Sequence, residues 1–394
     1  MGTKMLYDTE KAFSLKSYSE LKRTRWLFQL MNSPFVVKVL SALLKFSIKI
    51  GLPVKGAVKA TIFKQFCGGE TLKESADVVN TLYKANVKTI LDYSIEGEEN
   101  NDAFDKTLAE LQKIIHYANK NPAIPYTCIK LTGLVSTHLL EKQSAGETLT
   151  TSETQDWKLF IKRMDILFNE AKSNNVPVYV DAEESWIQII IDKLAEEYML
   201  KYNKEKAIVL TTLQMYRHDR IAYLNYLIDF AKKNKITLGI KLVRGAYIEK
   251  ENLRAQQMNY PTPIQTDKAA TDNDFNKAVS ICLQNIDIIM LCAGTHNEES
   301  SIFLLEEMKK YNLPNNHPNI YFSQLFGMSD HISMNLAGEG YNVTKYLPYG
   351  PVKSVVPYLI RRANENTSIA GQMSRELDLV SQEKIRRDKL KLLR

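Results

Sequence analysis

The sequence predicts an α/β fold, a TIM-like (β/α)8 barrel preceded by an N-terminal helical module. Three observations carry that reading. From residue 86 onward, short β-rich runs alternate with longer helical patterns, and about eight such units occupy about 280 residues, the rhythm of a closed barrel. The strand runs are nearly continuous in apolar residues, as expected when both faces are buried. No GxGxxG turn follows the first strand, which disfavours an open doubly wound sheet, and no Pro/Ser-rich linker divides the region, so it reads as one barrel.

Taken in order, residues 1–85 read as a basic helical module. Strands are expected at 89–93, 127–134, 177–181, 208–214, 237–243, 286–291, 320–325 and 345–348. Helices are expected at 102–119, 152–174, 184–202, 217–235, 273–284, 298–311 and 330–337. The last strand leads into a helix through Arg361 and Arg362, so the barrel domain spans 86–368. Residues 369–394 form a charged tail. Its Arg386, Arg387, Lys389 and Lys391 are mixed with acids and leucines, and no aromatics interleave, so it reads as a peripheral helix and not as a nucleic-acid arm.

Composition narrows the function classes. Cys67, Cys128, Cys282 and Cys292 form no CxxC pair and no Cys/His cluster, and the six histidines make no HExxH motif, so neither a disulfide frame nor a metal site is expected. No Walker loop is present, which disfavours nucleoside triphosphate chemistry. The net charge of +7 is uneven: residues 1–64 carry +9 and the remainder −2. Within the basic segment, residues 35–51 are apolar but interrupted by Lys38, Lys45 and Lys49, a poor transmembrane span. A basic amphipathic helix fits better, either packed on the main domain or lying on an anionic membrane surface. The opening residues lack an apolar leader core. The expected location is therefore cytoplasmic, with residues 1–64 as a candidate peripheral contact to the inner face of the membrane.

In a barrel, chemistry gathers at the C-terminal ends of the strands, and here those ends are polar. They carry Lys130 and Thr132, then Asp181, Glu183 and Glu184, then Gln214 and Tyr216, then Lys241 and Arg244, then Thr295 and His296, then Gln324, and finally Tyr346. Each alone could be a cap or a loop residue; Asp181, for instance, could cap the helix through Trp186. The most informative segment is 349–366. Tyr358, Arg361, Arg362 and Glu365 fall at i, i+3, i+4 and i+7, leaning toward one helix face. A solvated basic turn would explain them. So would a carboxylate ligand, which suits two guanidiniums that cannot deprotonate on burial. A positive surplus at the rim favours an anionic ligand or cofactor, and Gly245-Ala246 would let a flat ligand approach the backbone closely.

At these residues the chain resembles proline dehydrogenase, the flavoenzyme family that oxidises L-proline to Δ1-pyrroline-5-carboxylate. Lys241-Leu-Val-Arg244-Gly245-Ala246-Tyr247 and the run from Tyr346 to Asn366 carry the resemblance most specifically. Lys130-Leu-Thr132, Asp181-Ala-Glu-Glu184, Gly294-Thr-His-Asn297 and Gln324-Leu-Phe-Gly-Met328 support it. The monofunctional form is the one resembled. The resemblance implies that Arg361 and Arg362 bind the proline carboxylate, assisted by Lys130, while Asp181 and Glu365 orient the cations. It implies that Leu325, Tyr346 and Tyr358 wall the pyrrolidine ring, with Ala246 and Tyr247 close by. For FAD it implies Gln214, Val243, Arg244, Gly245, Ala246, Thr295 and His296, together with Lys241 and Glu365. Lys241 departs from the Arg of many bacterial members: the charge is kept and the fork lost. The implied electron acceptor is a quinone.

Competing readings differ in what they leave unexplained. A Schiff-base barrel aldolase would use Lys130 but has no need of the paired arginines. A hydroxyproline dehydrogenase would need room for a 4-hydroxyl that the Tyr346 ring would crowd. A non-enzymatic basic scaffold on membranes would explain residues 1–64 and leave the rim unaccounted for.

Overall fold

Val, Ile and Leu runs buried on both faces become eight parallel strands: β1 (Val87–Tyr93), β2 (Thr127–Ile129), β3 (Val178–Val180), β4 (Val209–Gln214), β5 (Leu238–Val243), β6 (Ile289–Gly294), β7 (Ile320–Leu325) and β8 (Val343–Tyr349). Their order in the sheet is β1-β8-β7-β6-β5-β4-β3-β2, that of a (β/α)8 barrel. The computed structural model describes residues 5–50, 54–94, 99–368 and 372–392; at 45–46, 48–49, 364–368 and 372–373 it describes the backbone alone. The chain divides into two units, residues 1–89 with 324–394, and residues 90–323.

In the second unit, the strand register fixes which side chains share a level. Thr212 pairs with Lys241, Lys241 with Cys292, Gln214 with Val243, and Gly294 with Ser323. Because alternate residues face opposite sides of a strand, Gln214 and Thr212 look the same way, as do Lys241 and Val243. Tyr126 packs edge-on against Tyr179 and Tyr321, with ring centroids 5.1 Å apart in both pairs. The helices start where short polar side chains satisfy free N–H groups. Asn100 accepts from Ala103 N ahead of Asn101–Asn119, Thr150 forms a capping box ahead of Thr151–Ser173, and Asn297 accepts from Ser300 N ahead of Glu298–Lys310.

Two local differences from the expected strands have physical causes. Strand β2 stops at Ile129, because Leu131–Gly133 turns into a 3-10 helix. Strand β6 begins at Ile289 and not at 286, since the backbone N–H of Ile286 bonds to Leu283 O and those of Ile288 and Ile289 to Asn285 O, closing a turn. Two further helices, Thr137–Ala145 and Ile248–Met258, follow β2 and β5.

The first unit has its own apolar core. Phe13, Leu21, Phe28, Met31, Val37, Phe63 and Phe66 pack with Met328, Val355, Leu359 and Val380. The basic segment folds as helices Tyr18–Met31 and Pro34–Lys49; Val37 is buried, while Phe35 is 76% exposed. Gly51, at the end of the expected 35–51 helix, lies outside the described residues. Among the described residues no single helix is long and apolar enough to cross a membrane. Tyr18–Met31 with Pro34–Leu44 reaches that length and apolarity only as a pair, bent by 98°.

Candidate active site

Within the second unit, four charged side chains alternate in sign across the strand ends. Lys130 Nζ lies 3.3 Å from each carboxylate oxygen of Asp92 and 3.9 Å from Asp181 Oδ2. Lys241 donates to Asp181 Oδ1, which Thr212 Oγ1 approaches at 3.4 Å. Asp181 thus serves two lysines and is not the cap of the following helix, which begins after Glu184. Asp92, missed in the sequence reading, balances the local charge; its only signal was a carboxylate closing the apolar run Ile90-Leu91. This cluster of two lysines and two aspartates is balanced in charge and adds nothing to the positive surplus expected of the rim. Burial works against the charge on Lys241, 5% exposed and 5.2 Å from the Tyr179 ring centre, but the Asp181 carboxylate, together with Cys128 and Cys292, outweighs it and raises its pKa.

Glu183 is a different kind of carboxyl. It accepts from Thr132 N at 3.2 Å and from Thr132 Oγ1, and burial pushes its pKa up to about 7. Its backbone carbonyl takes a bond from Gln214 Nε2 at 2.9 Å. Gln214 Oε1, on the same amide, is buried without a hydrogen-bond partner among the described residues. An acceptor in that state costs roughly 1–3 kcal/mol unless a ligand donor meets it.

Beyond β5, Arg244 is held by three partners. Its Nε donates to Asp272 Oδ1 at 2.7 Å, Nη2 to Ser300 Oγ at 2.9 Å, and Nη1 to Thr295 Oγ1, while the group stacks over Phe275 at 4.6 Å. Burial lowers the pKa of Arg244 against the opposing pull of Asp272. Gly245 has φ +130°, and a Cβ there would overlap the Tyr216 ring, so only glycine serves. Val243, Ala246, Tyr247 and His296 are half-buried, and Thr295 is buried. Asp272 and Ser300 were not read as site residues; neither stands out from the capping residues around it.

In the first unit, Leu325 ends β7 and Tyr346 lies in β8, both half-buried. Helix Val352–Ser368 carries Tyr358 and both arginines. Arg362 is only 8% exposed and lies 5.3 Å from the Tyr358 ring centre, whereas Arg361 is half-buried. A solvated basic turn does not describe Arg362. The side chain of Glu365 lies outside the described residues.

A protein-family model described as proline dehydrogenase matches residues 76–375. The chain belongs to the proline dehydrogenase family. It is accordingly an oxidoreductase with proline as substrate, of a flavin-dependent family. Proline dehydrogenase 1, mitochondrial, of Dictyostelium discoideum is 33% identical over 418 residues, covering 95% of this chain and 73% of that one. Hydroxyproline dehydrogenase of Xenopus laevis is 29% identical, covering 95% and 88%. Among solved structures, proline utilization A (PutA) of Bdellovibrio bacteriovorus inactivated by N-propargylglycine superposes with a TM-score of 0.72 at 21% identity. That match covers 91% of this chain but only 38% of PutA, and it shows the barrel fold alone.

Proposed function

We propose that this proline dehydrogenase oxidises L-proline to Δ1-pyrroline-5-carboxylate using FAD, within a catalytic barrel of residues 86–368 flanked by the helical module 1–85 and the tail 369–394. The observation that carries the cofactor reading is Gln214. Among the described residues its buried Oε1 meets no donor; it sits at the end of β4, in register with the strand that leads to Gly245. A planar ring bearing an N–H fits that acceptor. Lys241, Val243, Arg244, Gly245, Ala246, Thr295, His296 and Glu365 are the further residues we assign to the flavin.

Bound there, FAD would supply a two-electron acceptor for the hydride leaving proline C5. The chain's own residues do the rest. Arg361 and Arg362 hold the substrate carboxylate, with Lys130 as an auxiliary cation. Asp181 and Glu365 keep the cations oriented, since like charges brought together otherwise repel. Leu325, Tyr346 and Tyr358 wall the pyrrolidine ring, with Ala246 and Tyr247 beside it. Lys241 and Arg244 supply positive charge where negative charge develops on reduction. We assign no general base; the substrate amine sheds its proton before the C5 hydride leaves.

The aldolase alternative loses ground, because a Schiff-base nucleophile must be a neutral amine and Lys130 is engaged by two carboxylates. We further propose a membrane quinone as electron acceptor. The location we propose is the cytoplasm at the inner face of the membrane, reached through residues 1–64; the four buried free thiols suit a reducing compartment. The deciding experiment is the absorption spectrum of the purified protein. Flavin bands that bleach with proline support the reading, and a colourless protein that cannot be loaded with FAD overturns it.

The Xenopus relative favours a second reading, trans-4-hydroxyproline as substrate. Tyr346→Ser separates the two. Lost packing should cost proline about 1–3 kcal/mol in kcat/KM and cost hydroxyproline less. A ratio that stays fixed, or moves further toward proline, removes Tyr346 from the ring wall.

A further inference from the structure

Lys345 is the most deeply buried lysine described, 0% exposed, one residue before Tyr346 on β8. Neighbouring residues on a strand point to opposite faces, so Lys345 looks away from the side that Tyr346 presents. Its ammonium meets a main chain. Lys345 Nζ lies 2.9 Å from Asp330 Oδ1, donates to the Met328 carbonyl and reaches the Leu325 carbonyl at 3.5 Å. Those two carbonyls bracket the turn after β7, which begins at the residue assigned above to the ring wall.

The same turn is gripped from other elements of the first unit. Gln65 Nε2 donates to Gly327 O at 2.8 Å, and Gly327, at φ +83°, leaves no space for a Cβ against the Gln65 carbonyl. Buried Glu376, on the C-terminal helix Gln372–Leu392, accepts from Ser329 N at 2.6 Å and Ser329 Oγ at 3.1 Å. Lys16 lies 3.1 Å from Asp330 Oδ2. Phe326 N bonds to Tyr346 O at 2.9 Å, joining the turn to the strand beside the tyrosine. A turn of this length with no helix or strand of its own would otherwise drift.

We propose that Lys345 is a positioning residue for proline recognition: its buried ammonium fixes the turn that carries Leu325 against the strand that carries Tyr346, and so sets how closely the ring wall fits the substrate. The inference rests on the assignment of Leu325 and Tyr346 to that wall. Neutralising the lysine leaves the two carbonyls and Asp330 without their common partner, and the turn relaxes while the rest of the barrel stands. The loss falls on substrate fit and not on the flavin residues of β4, β5 and the loops after β5 and β6, which lie outside this turn.

The experiment compares Lys345→Met, Lys345→Arg, Glu376→Gln and Leu325→Ala in the full chain, reading flavin per chain, Tm, and kcat and KM for proline and trans-4-hydroxyproline. Lys345→Met should keep its flavin, raise KM for proline about tenfold and change kcat far less. Its hydroxyproline-to-proline ratio of kcat/KM should rise several-fold, because a loosened wall rejects the hydroxyl less. Lys345→Arg should restore part of both. Glu376→Gln, which keeps a hydrogen-bonding amide, should give a smaller shift of the same sign and decides the matter if Lys345→Met does not fold. A lower Tm with KM and substrate ratio unchanged in the folded variants would make Lys345 purely structural and overturn the inference. If Leu325→Ala also leaves KM and ratio unmoved, the ring-wall assignment has failed; if Leu325→Ala moves them alone, only the inference has.

Discussion

Lys130 and Asp92 stand 38 positions apart in sequence, yet the lysine ammonium lies 3.3 Å from both oxygens of a carboxylate that is 2% exposed. A fork of this kind inside a barrel is held by mutual dependence. Each charge is costly without the other. Asp92→Ala should destabilise the protein by about 3–5 kcal/mol in urea unfolding, and adding Lys130→Met should recover part of the loss. Additive single effects would show that the pair is not coupled.

The substrate carboxylate is assigned to Arg361 and Arg362. Either Arg→Met variant should raise KM for proline by a factor equivalent to roughly 2–5 kcal/mol while flavin content stays constant. Steady-state kinetics with flavin quantitation checks this; unchanged KM in both variants would remove the pair from the binding site.

Gln214→Leu tests the cofactor cradle without relying on turnover. The change removes both the unpartnered acceptor and the bond to Glu183 O. Flavin retained after dialysis should fall, by a loss of about 1–3 kcal/mol in affinity. Full retention would place the ring elsewhere.

Glu183 should leave a pH signature on stability. Its pKa is raised from 4.5 to about 7, mainly by burial, so the folded state holds a proton that the unfolded chain releases. The stabilisation is present below about pH 4.5 and is lost as pH rises through about 7, a change of about 3 kcal/mol. Glu183→Gln cannot titrate. Relative to wild type it should gain about that amount between pH 4 and pH 8 in urea unfolding. A difference independent of pH would mean that Glu183 titrates normally.

The helix Pro34–Lys49 exposes Phe35, Val39, Leu40 and Leu43 within a segment of strong positive charge. Co-sedimentation with vesicles should require anionic lipid, weaken with salt, and drop in a Phe35→Ser, Leu40→Ser variant. Equal binding to neutral vesicles, or by the variant, would rule out this surface.

The periodicity of the chain determined most of the fold, because a strand buried on both faces and an amphipathic helix each write their spacing into local sequence. β7 begins and ends where the pattern placed it, and β5 lies within one residue of its expected start. β6 did not, because Ile286 and Ile288 are as apolar as strand residues but their N–H groups close a turn. The local sequence likewise brought Tyr358, Arg361 and Arg362 onto one helix, and Gly245 to a position that only glycine can fill. What it could not determine was pairing at a distance. Asp92 and Lys130, Arg244 with Asp272 and Ser300, and Lys345 with Asp330 are ordinary charged or polar residues until the fold brings their strands, loops and helices together. The reason is physical: strand propensity and helix phase act over a few residues, whereas a buried charge is stabilised by whichever partner the closed fold places within a hydrogen bond of it.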